Sequence, residues 1–341
     1  MALNKRVVVR ILICMSLCVT ADAFASEVNV YSSRKQELIK PALDKFTEKT
    51  GVRVHLISAK ADVLMQRILI EGSESPADLL LTTDVSRLDQ AKSIGLFQPV
   101  TSRALLERVP ARLRDPEMAW YGLSLRARPI FYAKDKVNPK YLQAYSSLAD
   151  PQWQGRVCMR SSNNLYNQSL VASVIYSKGV RHTKNWLSKL VANFSREPTG
   201  GDKEQLMAVA AGVCDLTIAN TYYYGQLLQE QNTGNHISVN NVGIFWPNQA
   251  DRGVHMNVSG AGVLKSAKNK ENAIRLMEFL TSLEIQQWYG EVNHEFPIVE
   301  SVLPSQLLRS WGDFKKDEIA LSVLAELNAY AKLLMRGSNW P

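Results

Sequence analysis

From Val28 onward the chain repeats one rhythm: a short apolar run, a turn, then an amphipathic run. No two apolar runs are joined by a tight hairpin signal. Such a rhythm makes α/β layers around a mainly parallel sheet. Val28-Asn29-Val30-Tyr31 alternates as a strand does, and strands are also predicted over 52–56 and 78–81. A helical run follows the first strand and stops at Gly51; Ser33 and Gln36 are spaced as a capping box, and Pro41 is expected to kink or restart it. Helices are expected over 62–72 and 85–95. A second cycle opens with Pro129-Ile130-Phe131-Tyr132 and continues with strands over 156–159 and 216–219. Its helices are expected over 167–178, 180–194 and 206–211, with later ones over 272–283 and 314–335. No internal repeat and no long Pro/Ser linker separates the halves, so they read as two lobes of one body.

The first residues bear on the compartment. Lys5, Arg6 and Arg10 precede a short apolar run, and Ala23-Phe24-Ala25 fits a small-x-small cleavage site. Residues 1–25 read as a cleavable secretory signal, and the product as soluble and exported. Removing them from 341 residues leaves 316, enough for two cores. The formal charge falls from +8 to +6 as Lys5, Arg6, Arg10 and Asp22 leave, and the remainder is spread thinly. No basic block with interleaved aromatics supports nucleic-acid binding. Two cysteines remain, Cys158 and Cys214. In an oxidising compartment a disulfide is their simplest reading; a soft-metal pair lacks further ligands.

Ligands of α/β lobes bind at the carboxyl ends of strands, beside helix N-termini that hold anions. Ser33 and Arg34 follow the first strand, Thr83-Asp84 the third, and Arg160-Ser161-Ser162-Asn163 the strand carrying Cys158. Tyr132 ends the strand that opens the second half. Tyr222-Tyr223-Tyr224 follow the strand after Cys214. Arg34 and Arg160 offer a planar fork suited to carboxylate, carbonate or phosphate, or else are solvated surface residues. Clustered phenols are either aromatic packing or hard oxygen donors for a small trication such as Fe³⁺. None of the five histidines falls in an HExxH. No G-x-S-x-G elbow, Walker loop or G-x-G-x-x-G is present, so nothing points to an enzyme.

Several segments in this order resemble the periplasmic ferric-ion-binding proteins, solute receptors of bacterial ABC importers. They are Val30-Tyr31-Ser32-Ser33-Arg34, Glu71-Gly72-Ser73-Glu74-Ser75-Pro76-Ala77-Asp78, Gly122-Leu123-Ser124-Leu125-Arg126-Ala127-Arg128, residues 155–163, Asn220-Thr221-Tyr222-Tyr223 and residues 255–260. The resemblance runs over nearly the whole exported chain. It implies a two-lobed type II periplasmic binding protein fold, with a hinge and an interlobe cleft. The lobes would be discontinuous: 26–120 with about 255–300, and about 121–254 with 301–341. It further implies that Tyr132, Tyr222 and Tyr223 bind Fe³⁺ as cargo, and that Tyr224 is extra. Arg34, with Ser33 and Arg160, would hold a synergistic anion such as carbonate, and Cys158 and Cys214 would be bridged. The implied partner is an inner-membrane ABC permease, and the receptor a monomer. One departure stands out: where relatives carry a His-Tyr ligand pair, this chain has Lys35 and Gln36. The rival reading is a receptor of the same fold for an organic anion such as a phosphonate.

Overall fold

The computed structural model describes residues 26–232 and 238–341. The expected signal segment lies outside them. Among the described residues nine strands form two sheets: β1 (Glu27–Ser32), β2 (Arg53–Ser58), β3 (Leu79–Thr82), β4 (Tyr121–Ala127), β5 (Ile130–Ala133), β6 (Val157–Cys158), β7 (Leu216–Ile218), β8 (Val242–Phe245) and β9 (Met256–Val263). The first sheet runs β2-β1-β3-β9-β4 and the second β6-β7-β5-β8. Each carries its own lobe. The chain leaves the first sheet after β4, enters the second as β5, and returns from β8 into β9. β4 therefore belongs to the first sheet, and the crossing falls at 128–129.

These crossings correct the expectation of mainly parallel sheets. Only β1–β2, β1–β3 and β6–β7 are parallel. The β3–β9, β4–β9, β5–β7 and β5–β8 pairs are antiparallel. A strand arriving from the other lobe enters its sheet from the hinge side. It therefore runs against strands that end at the cleft.

Most predicted elements are present, with two instructive differences. Pro41 does restart the first helical run: a 3-10 turn, Gln36–Leu38, precedes helix Lys40–Thr50, whose first turn holds the proline. The Ser33–Gln36 capping box does not form, because Lys35 is the cap residue and makes no side-chain cap bond. The helix expected over 314–335 is two shorter ones, Leu321–Glu326 and Asn328–Gly337. Residues 315–317 are held in extended form instead, because the Val254 amide donates to the Lys315 carbonyl and the Asp317 amide to the Val254 carbonyl. A disulfide joins Cys158 of β6 to Cys214 just before β7, with Cα atoms 5.8 Å apart. It staples the two neighbouring parallel strands that feed the cleft.

Candidate functional site

The strands β1, β3 and β7 all end at one cleft between the lobes, and so does the turn after β6. Helix Thr221–Asn232 begins three residues past β7, and its first turn carries Tyr222 and Tyr223. Helix Leu165–Lys178 follows β6 and is capped by Asn164, whose side chain accepts from the Tyr166 and Asn167 amides. That cap presents Tyr166 in the first turn. The Tyr222 hydroxyl lies 3.4 Å from the Tyr166 hydroxyl, and the Tyr222 and Tyr223 ring centres are 4.2 Å apart. All three phenols line a cavity of about 470 Å³, closed on the other side by Ser33, Arg34, Lys35, Thr83, Arg126, Ser259 and Glu295. A neighbouring compartment of about 530 Å³ shares Ser33, Thr83, Tyr166 and Tyr223 and adds Lys60, Arg160, Ser161 and Asn163.

Guanidinium groups surround Tyr166. Those of Arg126, Arg160 and Arg128 lie 5.1, 5.6 and 5.8 Å from its ring centre. Arg126 sits 3.6 Å from the Asp84 carboxylate. Arg128 and Arg160, by contrast, share a single partner: their Nη1 atoms lie 2.7 and 3.1 Å from the two oxygens of Asp202. Burial alone would raise the Asp202 carboxyl, yet the two arginines hold it below the usual carboxylate range. One unit of positive charge is thus left over beside the phenols. Tyr222 and Tyr223 start protonated. Burial, then the neighbouring Tyr166 and Tyr223, push Tyr222 well above the ordinary phenol range; burial and Tyr166 do the same to Tyr223.

The other predicted residues fall as follows. Ser33 lines both compartments. Arg34 lines the cleft, but its charge is already met: Nη2 donates to Glu295 at 2.6 Å and Nη1 to the Ser259 hydroxyl at 3.0 Å. Lys35 reaches the cavity wall with an exposed side chain 3.7 Å from Glu37. Tyr132 is not among the residues lining either compartment. It stands on β5, opposite Leu216 at the start of β7, so the end of β5 points away from the cleft. Its ring covers Gly243, where an added Cβ would fall 2.5 Å from the ring. Tyr224 donates its hydroxyl to the Val242 carbonyl at 2.9 Å and packs against Phe131, as a structural residue does. Among the described residues, no cluster of three or more His, Cys, Asp or Glu side chains could hold a metal ion.

Residues 74–315 match the family described as bacterial extracellular solute-binding protein. The chain belongs to that family. This solute-binding protein is 46% identical to iron uptake protein A1 of a Synechocystis strain over 314 residues, spanning 92% of this chain and 87% of that one. It is 28% identical to the major ferric iron-binding protein of Neisseria meningitidis over 95% of this chain and 96% of that one. In three dimensions it resembles the Trichodesmium protein FutA (IdiA) in complex with iron and citrate ligands. That comparison gives a TM-score of 0.88 and 44% identity, covering 93% of this chain and all of that one. A ferric binding protein from Campylobacter jejuni gives 0.87 at 38% identity, over 92% of this chain and all of that one. The fold is that of a type II periplasmic binding protein.

Sequence reasoning missed Tyr166, Arg126, Arg128, Asp202 and Glu295. The signal for Tyr166 was legible. It lies in the first turn of a helix that follows a second-sheet strand, just after a capping asparagine, the placement that singled out Tyr222.

Proposed function

We propose that this solute-binding protein is an exported periplasmic receptor that captures ferric ion through the phenolates of Tyr166, Tyr222 and Tyr223, with a small anion completing the coordination. The observation that carries this reading is the convergence of three phenols beside an excess guanidinium charge. Tyr166 takes the place that the sequence had suggested for Tyr132. A trication pulls phenolic protons off, as bound cations do to water and thiols. The leftover charge of the Arg128–Arg160–Asp202 group favours the resulting anions. On the first-lobe side Ser33, Lys35 and Thr83 face the tyrosines, and the two carboxylates there already have partners, Glu37 with Lys35 and Glu295 with Arg34. The remaining positions fall to an anion, such as carbonate or citrate, reaching toward Arg160 and Ser161 in the adjoining compartment. The names of the relatives support iron as the cargo. Delivery would be to an inner-membrane ABC permease that opens the lobes, with the receptor acting as a monomer.

A visible spectrum tests the reading. Chelator-stripped protein titrated with ferric citrate, with and without bicarbonate, should develop a red-brown phenolate-to-iron band that saturates at one equivalent. A protein that stays colourless would reject tyrosinate ligation and favour an organic anion as cargo.

A further inference from the structure

Residues 293–295 touch three parts of the cleft in succession. The Asn293 side chain donates to the Leu38 carbonyl at 2.8 Å, beneath the first-lobe rim that carries Lys35. Glu295 accepts from Arg34 at 2.6 Å and from the Ser124 hydroxyl at 2.9 Å. Between them, His294 is 5% exposed and lies against the second lobe. Its ring rests on Gly225, where an added Cβ would fall 2.6 Å from Cγ. Its Nε2 is 3.2 Å from the Gln229 side-chain oxygen. Both Gly225 and Gln229 belong to helix Thr221–Asn232, whose first turn holds Tyr222 and Tyr223.

Each side of this contact breaks a local rule. His294 has φ +56°, in the left-handed region that favours glycine. Gly225 sits inside a helix, where glycine is a poor former. Neither choice helps its own segment, yet together they let a ring seat directly on a helix backbone. Local violations of this kind concentrate where function constrains the chain.

We propose that His294 is a positioning residue for the iron site. Its ring, seated on Gly225, sets the spacing between the phenol-bearing helix and the Arg34–Glu295 pair. The three-residue segment then couples the cleft walls: a shift of the helix is passed to Glu295 and from there to Arg34. The inference rests on the ferric reading above. An ordinary carbon contact is about 3.5–4.0 Å, so a methyl group at Gly225 must move the helix by roughly 1 Å.

The test loads each variant of the whole exported chain with ferric citrate and follows the charge-transfer band after adding excess EDTA. G225A should lose iron at least about tenfold faster than the wild type, since such sites tolerate about 0.5 Å of misplacement. The double variant G225A/H294G should return to the rate of H294G alone, because glycine removes both the ring and its Cβ and accepts φ +56°. H294G by itself relieves the backbone, so apo thermal stability should hold while iron loss quickens severalfold. A role limited to folding would move stability and not the rate. Unchanged iron loss in G225A or H294G, or no rescue in the double variant, overturns the inference while the ferric reading stands. A colourless wild type overturns both.

Discussion

Counting protons separates the competing tyrosine sets. In the apo cleft the phenols of Tyr222 and Tyr223 are held protonated by burial, and Tyr166 stands 3.4 Å from Tyr222. A phenol is a poor ligand until its proton leaves, so ferric binding should release one proton per phenolate. Three ligands release three. Each proton is worth about 1.4 kcal/mol per pH unit, so affinity should rise by about 4 kcal/mol, roughly a thousandfold, per unit of rising pH below the phenol range. The assay is a pH-stat titration of apo protein with ferric citrate near neutrality, corrected by the same titration without protein. The comparison with variants removes contributions from the iron salt itself. Tyr166→Phe, Tyr222→Phe and Tyr223→Phe should each lower the count by one. Tyr132→Phe and Tyr224→Phe should leave it unchanged, because Tyr132 covers Gly243 at the far end of the sheet and Tyr224 bonds Val242. A count that drops in Tyr132→Phe and holds in Tyr166→Phe would refute the site described here.

Three further outcomes follow from the same contacts. Asp202→Asn strips the shared carboxylate from Arg128 and Arg160 and leaves buried charge uncompensated; urea unfolding should show a loss of about 3–5 kcal/mol. Reducing the Cys158–Cys214 bridge opens a loop spanning 56 positions, which the chain-entropy relation values at about 4 kcal/mol; a urea midpoint indifferent to reductant would contradict this. Burial raises the Tyr222 and Tyr223 phenols in the folded chain. Their contribution to stability is therefore complete below the unfolded phenol pKa of about 10 and is lost as pH rises beyond it. Apo protein should lose stability between pH 9 and 11 more steeply than Tyr222→Phe does.

Much of this site was legible in the chain, and the placement of Tyr132 went astray for a physical reason. The rule that ligands gather at the carboxyl ends of strands correctly drew Ser33, Arg34, Arg160, Tyr222 and Tyr223 to one cleft. It misplaced Tyr132 because it assumed a parallel sheet. β5 arrives from the hinge and runs against β7, pairing Ile130 with Ile218 and Tyr132 with Leu216. Its carboxyl end is therefore the far end. Strand direction in a discontinuous lobe depends on where the chain crosses, and no local pattern records that. The charge partners were illegible for a similar reason. Glu295 meets Arg34 across 261 positions and Asp202 meets Arg128 across 74. Periodicity carries no information about such distant pairs, whereas the helix starts expected at 62, 85 and 180, which depend on neighbours, fall within a residue of Ala61, Val85 and Val180.

The charge balance of the cleft constrains the anion. Arg34 is neutralised by Glu295 and Arg126 by Asp84. Toward the rim, Lys35 pairs with Glu37, Arg87 with Asp62 and Lys203 with Glu230, while Lys60 in one compartment and Glu204 in the other add one charge of each sign. What remains is the single positive charge left by two arginines sharing Asp202. Ferric ion with three phenolates is neutral, so loading iron alone leaves that charge unmet in a closing cleft. Burying an uncompensated charge is costly, and an anion contributing one negative charge removes the cost. A monoanion such as bicarbonate should therefore bind together with iron, one per site. Asp202→Asn, which raises the surplus, should shift preference toward anions of higher charge. The check is to measure ferric affinity with bicarbonate and with citrate in both proteins. If the ratio of the two affinities is the same in wild type and Asp202→Asn, the surplus charge does not select the anion.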